Sequence, residues 1–310
     1  MKLALVTGGA GFIGSHLVEG LLARGVAVRV LDNFATGRLE NLAAVTGKIE
    51  LLEGDVSNLT TVRSAVRKVD VVFHEAALPS VERSVKNPLE SNEVNITGTL
   101  NVLLAARDEG VQRVVFAASS AAYGNSPVLP KEETMTPEPL SPYAVSKLAA
   151  EQYARIFHEL YGLSTISLRY FNVFGPRQDP TTQYAGVIAK FITCALEGKP
   201  FPIFGDGEQS RDFTYVSNVV DANLLAAEAK VEGAPLMNIA YGERASLNQI
   251  VDMLNELTGQ NLPTQYSPER AGDVRHSHAS LKRAKEMLGY APKVDLLEGL
   301  RRTVEWYRSK

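Results

Sequence analysis

The sequence predicts an α/β fold: a doubly wound parallel sheet with a smaller C-terminal α/β lobe. Two observations carry this. Through the first half of the 310 residues, short apolar runs suited to buried parallel strands alternate with segments of helical periodicity. The first such run, Leu3-Ala4-Leu5-Val6, passes through a glycine turn directly into the periodic stretch Ser15–Leu22, giving strand, turn and helix in immediate succession. The length suits a full nucleotide-binding domain, expected over 1–168. A mainly substrate-binding domain is expected over 169–310, with some strands and helices returning to the first.

The turn reads Thr7-Gly8-Gly9-Ala10-Gly11-Phe12-Ile13-Gly14. Gly8 permits the tight bend, Gly11 lets the backbone approach a pyrophosphate, and Gly14 lets the helix pack on the sheet. Unpaired N–H groups at the helix start then hold phosphate oxygens. The spacing is G-x-x-G-x-x-G, a variant of the dinucleotide fingerprint, and it makes the predicted sheet Rossmann-type. The second strand, Val28–Leu31, ends at Asp32, whose carboxylate suits the ribose hydroxyls of NAD and repels the extra phosphate of NADP. Arg38, close by, could take that phosphate, so NADP is disfavoured rather than ruled out. A third strand, Ile49–Gly54, leads to Asp55-Val56, and a fourth, Val69–His74, to Glu75-Ala76-Ala77. A long helix is expected over Pro88–Glu109 and a fifth strand from Val111, ending at Ser119-Ser120. Ligands bind at the carboxyl ends of such strands, where Asp32, Asp55, Ala76 and Ser119 all fall. His74, closing an apolar strand, reads as structural. Beyond Leu168 the prolines at 176, 180, 200, 202, 235, 263 and 268 predict loops and short helices forming a substrate lid.

The next segment carries the chemistry. Ser141 is a good N-cap, Pro142 suits the first helical position, and the apolar period continues through Tyr153 and Ile156. Tyr143 and Lys147, four apart, therefore share a helix face. A cation near a phenol favours its ionised form, which would make Tyr143 a base usable near neutrality. In a chain with 11 tyrosines such a pair also arises by coincidence, so its meaning depends on the glycine turn and Ser119.

Composition narrows the classes. The net charge is -3 with no basic run, which argues against a nucleic-acid partner. No apolar stretch reaches membrane-spanning length, and the N-terminus begins a strand rather than a signal peptide. Cys194 is the single cysteine, so no internal disulfide forms and a reducing cytoplasm is expected. Five histidines in no ligand-like array argue against a dedicated metal site.

Taken together, the chain resembles the extended short-chain dehydrogenase/reductases, and among them the nucleotide-sugar 4-epimerases, over essentially its whole length. The resemblance rests on Gly8, Gly11 and Gly14, Asp32-Asn33, Asp55-Val56, His74-x-Ala76-Ala77, Asn95 in Asn95-Ile96-Thr97-Gly98, and Ser119 before Tyr123-Gly124. It continues through Tyr143-x-x-x-Lys147, Arg169-Tyr170-Phe171-Asn172, Ile203-Phe204-Gly205 and Ser210-Arg211-Asp212-Phe213. It implies NAD as cofactor, held by Gly8, Gly11, Phe12, Ile13, Gly14, Asp32, Asn33, Thr36, Gly37, Asp55, Val56, Ala76, Ala77, Asn95, Tyr143, Lys147 and Tyr170.

The implied reaction uses three residues. Tyr143 takes the proton of the sugar 4-hydroxyl as the C4 hydride passes to NAD, Lys147 holds the nicotinamide ribose and lowers the Tyr143 pKa, and Ser119 relays at the 4-oxygen. The 4-keto sugar then turns over and takes the hydride back on its other face. Related 4,6-dehydratases and decarboxylases carry a carboxylate just after the catalytic Ser or Thr; Ser120-Ala121 stands there instead, which leaves epimerisation. The UDP-sugar is expected to meet Ser119, Tyr143, Asn172, Val187, Phe204, Arg211, Arg270, Asp273 and Ser277. Ser277 falls where an aromatic residue confines relatives to non-acetylated sugars, so both UDP-glucose/UDP-galactose and UDP-GlcNAc/UDP-GalNAc are expected substrates. UDP-glucuronate 4-epimerisation and, less favoured for want of that carboxylate, nucleotide-sugar 4,6-dehydration or decarboxylation are the alternatives, and a non-catalytic NAD-binding regulator is disfavoured because Tyr143 and Lys147 are both present. The resemblance also implies a homodimer paired through Pro88–Glu109 and Ser141–Leu160, against which stands burial of those faces within one subunit.

Overall fold

A computed structural model describes residues 1–180, 186–269 and 274–310. The N-terminal half runs β1 (Leu3–Thr7), α1 (Phe12–Ala23), β2 (Ala27–Asp32), β3 (Ile49–Glu53), α2 (Leu59–Ala65), β4 (Val71–His74), α3 (Val81–Lys86), α4 (Pro88–Asn92), α5 (Gly98–Glu109), β5 (Arg113–Ser119), α6 (Pro142–Tyr161) and β6 (Thr165–Tyr170). It continues with β7 (Val173–Phe174), α7 (Val187–Glu197), β8 (Phe201–Phe204), β9 (Ser210–Arg211), β10 (Thr214–Tyr215), α8 (Val216–Glu228), β11 (Leu236–Ile239), β12 (Ala245–Ser246), α9 (Leu247–Thr258), β13 (Thr264–Ser267), α10 (Lys282–Leu288) and α11 (Leu296–Arg308).

The central sheet has seven parallel strands in the order β11-β6-β5-β4-β1-β2-β3. The expected Rossmann-type doubly wound sheet is thus present, with its reversal of strand order between β1 and β4. Both faces are covered, so the strands are nearly continuous apolar runs; Ala4, Leu5, Val6, Val72 and Phe73 are all fully buried. The register brings the strand ends level. Thr7 pairs with Leu31 and His74, His74 with Phe116, and Ser119 with Tyr170, so these strands end along one edge of the sheet. A separate core lies under the C-terminal lobe, built on Phe174, Phe191, Phe201, Ile250 and Leu300.

Three expectations change. Helix α1 begins at Phe12 rather than Ser15, because the glycine turn closes within Gly8–Gly11 through a Gly11 N–H to Gly8 C=O bond of 3.0 Å. The expected helix over Pro88–Glu109 is interrupted: a π turn at Glu93–Thr97 separates α4 from α5 and carries Asn95 into the interior. The second half is more helical than its prolines suggest, since those residues fall between helices while α8, α9 and α11 run 13, 12 and 13 residues. Helix α8 packs on α1, where a Cβ at Gly20 would come within 2.8 Å of Val220, and β11 adds to the main sheet beside β6.

Candidate active site in the cleft at the strand ends

The aligned strand ends open into one cleft of about 1470 Å³, lined by residues from both halves of the chain. That exceeds the few hundred cubic ångströms a single small ligand needs and suits two ligands side by side.

One end is the glycine turn. A Cβ at Gly14 would lie 2.2 Å from the Gly8 carbonyl oxygen, and one at Gly8, where φ is +67°, 2.7 Å from Ala76 N. Both positions therefore require glycine, and β1 and β4 can close on each other only because of it. The N-terminus of α1 is left facing the cleft, with Gly11 as a cap that offers no side-chain bond. Asp32 is 7% exposed; its two oxygens accept the Ala10 and Phe34 N–H groups at 2.9 and 2.8 Å, fixing the carboxylate at the end of β2. Burial pushes its pKa up while those two bonds pull it back down. The Asn33 amide donates to Asp55 at 2.6 Å, tying the ends of β2 and β3 together. The dinucleotide's requirements, a close backbone approach and a carboxylate one strand away, are met by these residues.

The other end holds the helix α6. Its start is fixed as its sequence foretells: Ser141 accepts the Ala144 N–H at 3.1 Å, and Pro142 occupies the first turn. Ser84 of α3 accepts the Tyr143 N–H at 3.0 Å, and Ser146 donates back to the Tyr143 carbonyl at 2.8 Å. Tyr143, Lys147, Ser119 and Tyr170 all line the cleft. The Ser119 hydroxyl lies close enough to the Tyr143 phenol to favour its ionised form, but burial dominates and raises the phenol above its ordinary value. In the protein alone the phenol therefore stands above its ordinary value, not below it as the sequence led one to expect. Burial brings Lys147 itself down to about 8, opposed by the charge of Glu75, while its Nζ stands 4.9 Å from the centre of the Phe116 ring.

Most of the other expected residues line the same cleft: Gly8, Gly11, Phe12, Ile13, Gly14, Asn33, Thr36, Gly37, Asp55, Val56, Ala76 and Ala77 on the cofactor side, and Asn172, Arg211 and Ser277 on the other. Ser277 is held by its N–H to the Ser210 carbonyl at 2.9 Å. Three expected residues sit elsewhere. Asn95 is 1% exposed and its amide is committed to Leu78, both N–H and C=O, and to Ser146, so it braces the β4–α3 loop against α6 from behind the cleft. Val187 and Phe204 are not among the lining residues; Phe204 is 36% exposed at the end of β8. Arg270 and Asp273 lie outside the described residues. His74 is a structural pin, its ring nitrogens bonded to Thr7 at 2.7 Å and Thr99 at 2.9 Å, with a pKa lowered to about 3 by burial. Sequence reasoning passed over Glu75 as a site residue. A carboxylate that directly follows an apolar strand end was the available signal.

Residues 4–240 match the model of the NAD-dependent epimerase/dehydratase family. The chain belongs to this family. Its cofactor is NAD, and it is an NAD-dependent epimerase within the extended short-chain dehydrogenase/reductases. Among solved structures it is similar to a Thermotoga maritima UDP-glucose 4-epimerase with UDP-glucose, at 41% identity and TM-score 0.95 over 99% of both chains. It is as similar to a Methanobrevibacter ruminantium UDP-N-acetylglucosamine 4-epimerase in complex with UDP-N-acetylmuramic acid, at 40% identity and TM-score 0.95 over 99% of this chain and 98% of that one. A Thermus thermophilus UDP-glucose 4-epimerase in complex with NAD matches at 41% identity and TM-score 0.90, again over 99% of both.

Proposed function

We propose that this epimerase inverts C4 of UDP-hexoses, interconverting UDP-glucose with UDP-galactose and UDP-GlcNAc with UDP-GalNAc through a 4-keto intermediate. The observation that carries the reading is the meeting of Ser119 and Tyr143 in a cleft large enough for two ligands, with Lys147 one turn further along the same helix face. Bound NAD supplies the acceptor for the C4 hydride and returns it. The chain's own residues move the proton and hold the sugar. Tyr143 accepts the 4-hydroxyl proton and later gives it back; Ser119 hydrogen-bonds the same oxygen and steadies it as its charge changes. Lys147, kept cationic, offsets the negative charge that forms on the phenol. Ser120-Ala121 put no carboxylate after Ser119, so acid–base chemistry at C5–C6 has no agent there.

In this reading residues 1–168 bind the cofactor and 169–310 mainly bind the sugar nucleotide. Asn172 and Arg211 face the cleft where the diphosphate would lie, and an arginine fork suits phosphate oxygens. Ser277 is the support for acetamido sugars, since a side chain of this size on the cleft wall leaves room beside the hexose. The test is to incubate the purified protein with UDP-GlcNAc, UDP-glucose and UDP-glucuronate and follow C4 inversion by NMR. UDP-GalNAc and UDP-galactose are the expected products. Inversion of UDP-glucuronate alone would replace this substrate assignment.

A homodimer belongs to the same proposal. Val85 and Leu89 are 63% and 81% exposed on α3 and α4, and Val145 and Tyr153 are 50% and 39% exposed on the adjoining α6. Lone Cys194 supports placing the protein in the cytoplasm.

A further inference from the structure

Glu75 stands at the carboxyl end of β4, where the strand order reverses, and lines the cleft. Its Oε1 accepts the Tyr170 hydroxyl at 2.7 Å. That hydroxyl in turn accepts the Asn223 amide N–H at 2.8 Å, and the same amide group donates to the Val219 carbonyl at 2.9 Å. The chain of bonds has a direction. Asn223, fully buried on α8, can only donate through this group, so Tyr170 must turn its proton toward Glu75. Glu75 is therefore held as an acceptor, which favours its ionised form.

Four titratable groups line this cleft, Glu75 just after β4, Tyr170 from β6, and Tyr143 and Lys147 from α6, and the buried His74 precedes Glu75 in the chain. His74 has both ring nitrogens engaged by threonine hydroxyls and stays neutral. Glu75 supplies the charge that raises Lys147, and Lys147 is the cation that lowers Glu75. Burial works against both, moving the carboxyl up to about 7 and the ammonium down to about 8.

We infer that Glu75, oriented by the Asn223–Tyr170 chain, is a positioning residue that keeps Lys147 protonated and so sets the alkaline edge of the reaction. It acts through Lys147, with no covalent or proton-transfer step of its own. The inference rests on the roles proposed for Tyr143 and Lys147. The sign follows from the charges. Above about pH 7 Glu75 is ionised and supports the ammonium; without that charge Lys147 gives up its proton at lower pH, and the alkaline limb of the reaction moves down with it.

The test uses Glu75→Gln, whose amide oxygen still accepts the Tyr170 hydroxyl while the charge is lost. Lys147 is followed in the NAD-loaded protein by ¹³Cε-lysine NMR, assigned with Lys147→Arg, and kcat and kcat/KM are measured from pH 5.5 to 9.5. The expected result is a Lys147 midpoint lower by on the order of one unit, with the alkaline limb of kcat moving alongside it and KM little changed. Tyr170→Phe, which removes the proton donated to Glu75, should move both in the same direction by less, and serves if Glu75→Gln does not fold. An unchanged Lys147 midpoint would overturn the inference, as would activity lost equally at every pH. A wild-type protein inactive on every UDP-sugar would instead sink the epimerase reading, while the NMR titration would still decide the role of Glu75.

Discussion

Tyr143 and Lys147 were legible as a pair in the sequence, but their electrostatics were not. Spacing placed both on one face of α6, and the structure brings both to the cleft. What spacing could not show is that burial raises the phenol and lowers the ammonium, opposed by Ser119 at the one and by Glu75 at the other. Tyr143→Phe should abolish C4 inversion while NAD stays bound, checked by NMR of the sugar and by chromatography of nucleotide released on denaturation. In the wild type, kcat should fall as pH rises through about 8, because Lys147 acts as a cation and loses its proton there. His74 makes the opposite prediction about stability. Its folded pKa of about 3 lies below the ordinary 6.5, so the unfolded chain binds the extra proton and stability declines as pH falls from 6.5 toward 3. His74→Gln should flatten that acid slope, at a cost of about 1 kcal/mol for each threonine bond lost, measured by urea unfolding at several pH values.

At the level of elements, strands were easy to read and helix interruptions were not. Apolar runs located β1 to β5 to within a residue or two, since strands buried on both faces carry little else. The π turn at Glu93–Thr97 gave no warning because its cause is tertiary. Asn95 is drawn inward to satisfy Leu78 and Ser146, and Gly98 passes so near Val56 that a Cβ would approach its Cγ2 to 2.7 Å. Asn95→Ala would leave the Leu78 backbone groups buried without partners. The expected loss is about 2 kcal/mol, read from the urea midpoint, together with weaker NAD retention as the β4–α3 loop loosens against α6. Prolines misled in the second half because they say little about how long the intervening elements are; α8 and α9 run unbroken between them.

Across the whole molecule, the glycine turn, the carboxylate at the end of β2 and the Tyr-Lys helix predicted a cleft that the parallel register does assemble. Residues outside these local patterns were harder to place. Val187 and Phe204 depend on how the second lobe meets the sheet, which no local periodicity encodes. Ser277 carries a prediction at this scale: Ser277→Tyr should depress kcat/KM for UDP-GlcNAc at least tenfold more than for UDP-glucose, because the acetamido group loses its room. If α3, α4 and α6 carry a dimer interface, Leu89→Glu should shift the mass measured by light scattering from two chains to one, since a charge on an apolar contact is costly to bury. The central claim, that C4 is inverted by removing and returning the same hydride, is tested most directly with UDP-glucose deuterated at C4. The account predicts UDP-galactose that keeps its deuterium at C4 in ordinary water; deuterium lost to solvent, or no inverted product, would contradict it.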